Sequence, residues 1–401
     1  MKRPHIYFDN AATTRIDTSV LEAMLPWLSD DYGNASSVHY FGRKARVAVE
    51  EARERIAAFI GAKPREIFFV SGGTEANNFL LRSIAEVCRN EYGRSAVISD
   101  MTEHASVTET LKEISANGYS VRLVQPAPTG VITPAAVDSM MSESEASDDA
   151  AGISLVSVMH VNNETGAVND IREISRIAHT RGALFHSDAV QSFGKFRIHV
   201  DEIEADALSI SSHKINGPKG IGAVYIKAGT PVKALIKGGG QERNLRGGTE
   251  NVAAIVGFGR AVSLASDSLE KNLIHVNSIK QRLTEGIRSI DPEGIRINSS
   301  DDRSDDTYSP YILSITFCSD HYRIDPESLL MQFDLNGIAL SNGSACSSGS
   351  VHPSHVLTAM GLSRSDVNGT VRISLGKFNI AEESETFLEK LSVISRKFRI
   401  K

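Results

Sequence analysis

Short, mostly apolar runs recur through the first two-thirds of the chain, separated by stretches whose apolar positions return every three or four residues. Residues 42–60 (GRKARVAVEEARERIAAFI) have this helical spacing and stop at Gly61, a residue suited to end a helix. IFFV (67–70) reads as a short buried strand, and SGGT (71–74) turns into another helix. AVIS (96–99), VRLV (121–124), ISLVSVMHV (153–161), ALFH (183–186) and ALSIS (207–211) are further strand candidates. Continuous apolar strands alternating with helices predict an α/β fold whose mainly parallel sheet is covered on both faces.

The pattern changes after a long helical stretch with charged punctuation between about 262 and 290. Shorter strands follow (ILSITF, GIAL, VRISL), mixed with helices. The expected organisation is a large domain over 15–261 and a smaller α+β domain built from 1–14 and 262–401. SESEASDD (142–149) and NSSDDRSDD (298–306) are acidic, serine-rich and aperiodic, and read as solvated insertions.

Composition narrows the function classes. The 401 residues are 41% hydrophobic and 23% charged with a formal net charge of −6, so no basic excess exists to neutralise nucleic-acid phosphates. No apolar run approaches the ~20 residues needed to cross a bilayer, and MKRPHIYFDN carries no signal-peptide core. Three cysteines make a sparse, odd set, which argues against a disulfide framework and for a reducing cytoplasm. Their positions, 88, 318 and 346, match no zinc spacing, and no metal is expected.

Three segments hold candidate chemistry. SISSHKINGPKG (209–220) sets Lys214 just past a strand, flanked by Ser211 and His213. A loop lysine is more often a solvated side chain, but these neighbours are donors of the sort that hold a phosphate. ALFHSDAVQ (183–191) puts Asp188 at a strand's carboxyl end with Gln191 three residues on; the plain alternative for Asp188 is a helix N-cap. IFFVSGGTEANN (67–78) is strand, glycine turn and helix, a joint whose exposed amides suit an anion. A lysine for a Schiff base, a carboxylate for a pyridinium nitrogen and an anion cradle are together what pyridoxal phosphate requires. Carboxyl ends of strands in open α/β sheets are where such groups converge.

The chain resembles the cysteine desulfurases, pyridoxal-phosphate enzymes of the aspartate-aminotransferase-like fold. The resemblance runs nearly end to end, through DNAATT (9–14), GNASSVH (33–39), SGGTEANN (71–78), TEHAS (102–106), HVNNETG (160–166), HSDAVQ (186–191), SSHKINGPKG (211–220), GGGQERNLRGGTEN (238–251), SACSSGS (344–350) and VRISLG (371–376). It implies that Lys214 carries the cofactor, Asp188 pairs with the ring nitrogen and Gln191 with the phenolic oxygen. Gly73, Thr74, Ser211 and His213 would hold the phosphate, with Thr249 reaching that of a neighbouring subunit in a homodimer. His104 would stack on the ring, and Asn163 and Arg372 would hold the carboxylate of L-cysteine. In VRISL, Val371, Ile373 and Leu375 share one face and Arg372 points to the other.

Cys88 lies in a segment where Leu80, Ile84 and Val87 give helical spacing and reads as a core residue; Cys318 ends a strand. Cys346, in SNGSACSSGS, has no periodic apolar neighbour to bury against. Serine and glycine over about 341–352 make a flexible tether, which suits a thiol that collects sulfur and then presents it outward. The loop resembles the long version in the branch linked to iron–sulfur cluster assembly and tRNA thiolation, with scaffold or other acceptor proteins as partners. In the implied reaction Lys214 moves the Cα proton, Cys346 takes the sulfur as a persulfide, and L-alanine leaves. His104 would shuttle a proton from the substrate thiol or back to the substrate fragment. The same fold also hosts selenocysteine lyases and aminotransferases, and a non-catalytic assembly scaffold is the third reading.

Overall fold

The computed structural model describes residues 5–146, 152–299, 307–342 and 353–400. Its main sheet has seven strands, in spatial order Ile67–Val70, Gly222–Ile226, Ala207–Ser211, Leu184–Asp188, Ile153–Ser157, Ala96–Asp100 and Ser120–Val124. Gly222–Ile226 runs antiparallel to both neighbours, and the other four pairings are parallel. Side chains alternate between faces, as a strand's period of two demands. Ile67, Phe69, Ile98 and Leu208 enter one core, while Phe68, Val70, Val97 and Ala207 enter the other. Helices Tyr40–Ile60, Pro134–Glu145 and Ile171–Thr180 cover the first face through Val49, Ile56, Val137, Met141 and Ile174. Helices Gly73–Tyr92 and Ala105–Ala116 cover the second through Phe79, Leu80, Ile84, Val107 and Leu111. Tyr40–Ile60 stops at Gly61, whose φ of +71° is the left-handed cap that glycine adopts without strain.

A second core forms around the three-stranded antiparallel sheet of Ile295–Ile297, Ile312–Phe317 and Thr370–Ser374. Ile6 and Phe8 join it, because Ile6–Tyr7 pairs in parallel with Ile338–Ala339 across most of the chain length. Val371, Ile373 and Leu375 point into this core, as their spacing predicts.

The helix Val252–Ile290 links the two cores. Val252, Ile255, Phe258 and Val262 pack under the large sheet, and Val276, Ile279, Leu283 and Ile287 pack in the second core. It is long and apolar enough to span a bilayer by length and composition, yet those side chains are spent on protein contacts. It starts ten residues before the expected 262, capped by Asn251 Oδ1 on the Ala254 amide. Gly257 and Gly259 disguise its start in the sequence, and packing explains them: a Cβ on Gly259 would sit 2.8 Å from that of Ala52.

Two other expectations need correction. ISLVSVMHV is not one strand, since its pairing in the sheet ends at Ser157; Val158 and Met159 stay buried beyond it, and Val161 forms only an isolated bridge with Val168. Residues 142–145, expected in a solvated insertion, are the last turn of Pro134–Glu145, with Ser144 buried. Positions 147–149 and 300–306 of the two insertions lie outside the described residues, as do 343–352 of the cysteine tether, Cys346 included.

A buried ion pair ties the glycine-rich 238–251 segment to the sheet. Arg53 donates to both carboxylate oxygens of Glu242, at 2.8 and 2.9 Å, and its guanidinium lies over the Phe69 ring at 4.7 Å. Glu242 also accepts the Phe69 amide at 2.8 Å. Glu242, Arg243 and Asn244 have φ of +43°, +55° and +68°, and consecutive left-handed residues of this kind need outside contacts to persist. Arg53→Met strands the Glu242 charge in the interior and should lower stability by about 3–5 kcal/mol in urea denaturation. A loss below ~1 kcal/mol, the worth of an exposed pair, would contradict this account.

Candidate active site

Two neighbouring strands of the large sheet end at Asp188 and Ser211, and a single 3-10 turn, Ser212–Lys214, follows the second. Their carboxyl ends open on a cavity of about 870 Å³. Ten of the twelve residues proposed from the sequence line it: Gly73, Thr74, His104, Asn163, Asp188, Gln191, Ser211, His213, Lys214 and Arg372. Thr249 instead lines a smaller cavity with Ser71 and Gly220, and Cys346 lies outside the described residues.

One end of the large cavity is built for an anion. Helix Gly73–Tyr92 starts with Gly72 at its cap and no side chain accepting its first amides, so the positive end of its dipole is open. Ser211 Oγ is buried there with no hydrogen-bond partner among the described residues. A side chain on Gly222 would collide with the Gly72 backbone at 2.8 Å, so glycine is what lets the cradle close up. His213 Nδ1 lies 3.2 Å from Thr13 Oγ1; burial, with the charges of Lys214, Lys219 and Lys195, pushes its pKa down to about 4. It is therefore a neutral imidazole, able to donate one hydrogen bond without adding charge.

Asp188 is fixed on both oxygens: Val190 N–H donates to Oδ1 at 2.9 Å and Asn77 Nδ2 to Oδ2 at 2.7 Å. The Asn77 amide also donates to Ser106 Oγ at 2.8 Å, and that hydroxyl lies 2.8 Å from His104 Nδ1. His104 caps helix Ala105–Ala116 by accepting the Ser106 amide on Nδ1 at 3.1 Å. The neutral ring therefore carries its proton on Nε2. Burial lowers the His104 pKa, partly offset by the Asp188 charge. Behind it Glu103 is fully buried; burial, then the charges of Asp100 and Asp188, raise its pKa well above the usual range, which keeps a further negative charge away from Asp188.

Lys214 Nζ donates to the Ala11 and Ala12 carbonyls at 2.5 and 2.7 Å. Gln191 Nε2 donates to the same Ala11 carbonyl at 2.9 Å, so one backbone oxygen gathers the amine and the amide. Burial, then the charge of Arg372, lowers the Lys214 pKa to about 8 from 10.5. Below about 8 it is mostly ammonium; above, mostly free amine. Its reaction with an aldehyde should climb with pH and level off just above 8, as read by borohydride trapping and peptide mapping of the apoprotein. A rate still climbing tenfold per pH unit at pH 10 would mean an ordinary lysine.

Arg372 is buried, more so than its position on a strand's outward face suggested, because it faces the cavity rather than solvent. Nη1 donates to the Asn163 carbonyl at 2.8 Å and Nη2 to Asp9 Oδ1 at 2.9 Å, while Nε has no partner among the described residues. A guanidinium held this way with a donor to spare suits a carboxylate. Asn163 owes its place to Asn162, whose Oδ1 accepts the amides of Glu164 and Thr165 and so shapes the turn.

Sequence reasoning did not assign roles to Asn77, Asp9, Ser106 or the Ala11 carbonyl. Their signal was membership in SGGTEANN, DNAATT and TEHAS, but the partners of Asn77, Asp9 and Ala11 lie far away in the chain. The two described cysteines do not line the cavity. Cys88 is buried, and burial pushes its thiol up to about 11; burial also raises Cys318. The backbone on either side of 343–352 does line it, through Ser341, Asn342, Pro353, Ser354 and His355.

The uncapped helix, the orphaned Ser211 hydroxyl, the fixed Asp188 and the amine–amide pair fit pyridoxal phosphate: an anion site, a carboxylate for a ring nitrogen, and donors for an aldehyde and its neighbouring oxygen. Comparison with known proteins agrees with this fit. Residues 6–387 match the aminotransferase class-V family. The chain is 38% identical to "Cysteine desulfurase IscS" of Dictyoglomus turgidum, covering 100% of this chain and 96% of that one. A solved "NifS-like protein" superposes with a TM-score of 0.87 at 36% identity, over 98% of this chain and all of that one. "SspA in complex with cysteine" superposes with a TM-score of 0.77 at 35% identity, over 94% and 100%.

Proposed function

The chain belongs to the class-V aminotransferase family, and from that premise we infer its reaction: it is a pyridoxal-phosphate-dependent cysteine desulfurase that converts L-cysteine to L-alanine. The observation that carries the site assignment is the convergence of Lys214, Asp188 and Arg372 on one cavity whose rim includes both flanks of the cysteine segment.

When bound, pyridoxal phosphate supplies an aldehyde for the substrate amine and a ring that draws electrons from Cα. Lys214, with its pKa near 8, is the residue to hold the cofactor and then take the Cα proton. Asp188, immobilised by Asn77 and Val190, would pair with the ring nitrogen, Gln191 with the phenolic oxygen, and His104 would stack on the ring. Gly73, Thr74, Ser211 and His213 hold the phosphate. Arg372 and Asn163 orient the substrate carboxylate, placing its thiol toward the rim. The Cys346 thiolate attacks that sulfur: an S–S bond forms, the C–S bond breaks, and its electron pair stays on carbon. The carbon that loses sulfur takes up one proton and Lys214 returns the other to Cα, which completes alanine and leaves the sulfur on Cys346 as a persulfide. His104 Nε2 is the proton-bearing atom on that side of the site.

Asn342 lines the cavity and Cys346 is four residues further, a span of at most ~14 Å of chain. Acceptor thiols remove the sulfur by exchange, and acceptors in iron–sulfur cluster assembly or tRNA thiolation fit the long cysteine segment. Residues 15–261 serve as the cofactor domain and 1–14 with 262–401 as the smaller one. The working unit is a homodimer in the cytoplasm. Exposed Leu25, Leu28, Tyr32, Val38, Tyr40 and Phe41 offer it an apolar face, and Thr249, away from its own chain's cavity, is free to serve the partner's. Incubation with pyridoxal phosphate, L-cysteine and a thiol reductant should release alanine and sulfide in equal amounts. Amino-group transfer to a keto acid, with no sulfide, would favour an aminotransferase.

A further inference from the structure

We propose that Lys195 is a positioning residue that fixes Gln191 with its amide N–H, not its carbonyl, facing the bound cofactor. The proposal rests on the pyridoxal-phosphate reading and extends it to a side chain outside the cavity lining.

Lys195 is 6% exposed, and no carboxylate pairs with it among the described residues. Its ammonium lies over the Tyr311 ring at 5.4 Å and donates to Gln191 Oε1 at 3.1 Å. A buried lysine without a counter-ion costs stability, so a purpose for it is worth seeking. The Gln191 amide can point either way, and its neighbours decide. The Lys195 ammonium can only donate, which claims the carbonyl end. The Ala11 carbonyl can only accept, which claims one N–H of the other end at 2.9 Å. Flipping the amide would set donor against donor at Lys195 and acceptor against acceptor at Ala11. The second N–H is thereby left for the cavity that Gln191 lines.

The consequence reaches Lys214 through the same carbonyl, since Ala11 holds both side chains. An N–H aimed at the cofactor's phenolic oxygen stabilises its anionic form and weakens its hold on the proton shared with the Lys214 nitrogen. Lys214 also feels Arg372, Asp188 and Asp9, and none of these depends on how the Gln191 amide is turned. Burial, then Lys214 and Arg372, lower the Lys195 pKa to about 7; the ammonium form excludes the flipped amide outright, and in the neutral form Lys195 still donates while the Ala11 carbonyl holds the other end.

The test is a double-mutant cycle on the full-length enzyme loaded with pyridoxal phosphate, reading the pH midpoint of its visible absorbance. Lys195→Met should raise that midpoint by about half a pH unit or more, and Gln191→Ala should raise it similarly. Adding Lys195→Met to Gln191→Ala should move it little further. Lys195→Gln, which keeps a donor of about the same reach, should stay near the parent; it also serves if Lys195→Met does not fold. An unmoved midpoint in Lys195→Met, an equal displacement by Lys195→Met in both Gln191 backgrounds, or a Lys195→Gln displaced as far as Gln191→Ala, would overturn the assignment. Absence of the visible chromophore in the parent would instead overturn the cofactor reading itself.

Discussion

Replacing Cys346 with alanine is expected to cut alanine release from L-cysteine by roughly a thousandfold or more while the cofactor's visible absorbance survives. The argument is chemical. The substrate sulfur needs a thiolate acceptor within reach, and burial holds both other thiols in their protonated, unreactive form, Cys88 with a pKa near 11. Neither lines the cavity, whereas the chain enters and leaves the 343–352 segment at its rim. Cys88→Ala and Cys318→Ala should therefore turn over at nearly the parent rate. Unchanged turnover in Cys346→Ala would mean that sulfur leaves by another route, as in an enzyme that releases sulfide or selenide directly.

Lys214→Ala should lose turnover by roughly ten-thousandfold or more, together with the visible band of the lysine-linked cofactor and the borohydride-stable lysine adduct. Both effects come from one amine: it is the cavity lysine lowered to about 8, held at 2.5 Å from the Ala11 carbonyl. The anion cradle of Gly73, Thr74, Ser211 and His213 is untouched, so the variant should still bind the cofactor noncovalently, visible by equilibrium dialysis. Retention of a covalent lysine adduct in this variant would move the attachment point elsewhere.

The large sheet was legible because both of its faces are covered, which leaves IFFV wholly apolar and ALSIS largely so, and both match observed strands residue for residue. ISLVSVMHV misled for the converse reason. Its apolar character continues past Ser157 because Met159 and Val161 line the active cavity, not because strand pairing continues. Burial makes the pattern, and a cavity wall buries as well as a sheet does. The helix start at Val252 was hidden by Gly257 and Gly259, which look like breakers but are contact surfaces for Met24 and Ala52. Ten of the twelve proposed site residues, picked out through their motifs, do line one cavity. The groups that hold those residues were not legible. Asn77 reaches Asp188 across 111 residues, and Asp9 reaches Arg372 across 363. Distances of that kind are set by topology, and no local pattern of apolar and polar positions records them.

The central claim is that Lys214 and Cys346 act on the same substrate molecule from opposite sides of one cavity. Its most direct test is mass analysis of the peptide containing Cys346 after brief exposure of the loaded enzyme to L-cysteine without reductant. The account predicts that this peptide gains one sulfur atom in the parent and gains none in Lys214→Ala. Added sulfur on Cys88 or Cys318 instead, or sulfur on Cys346 that persists in Lys214→Ala, would contradict it.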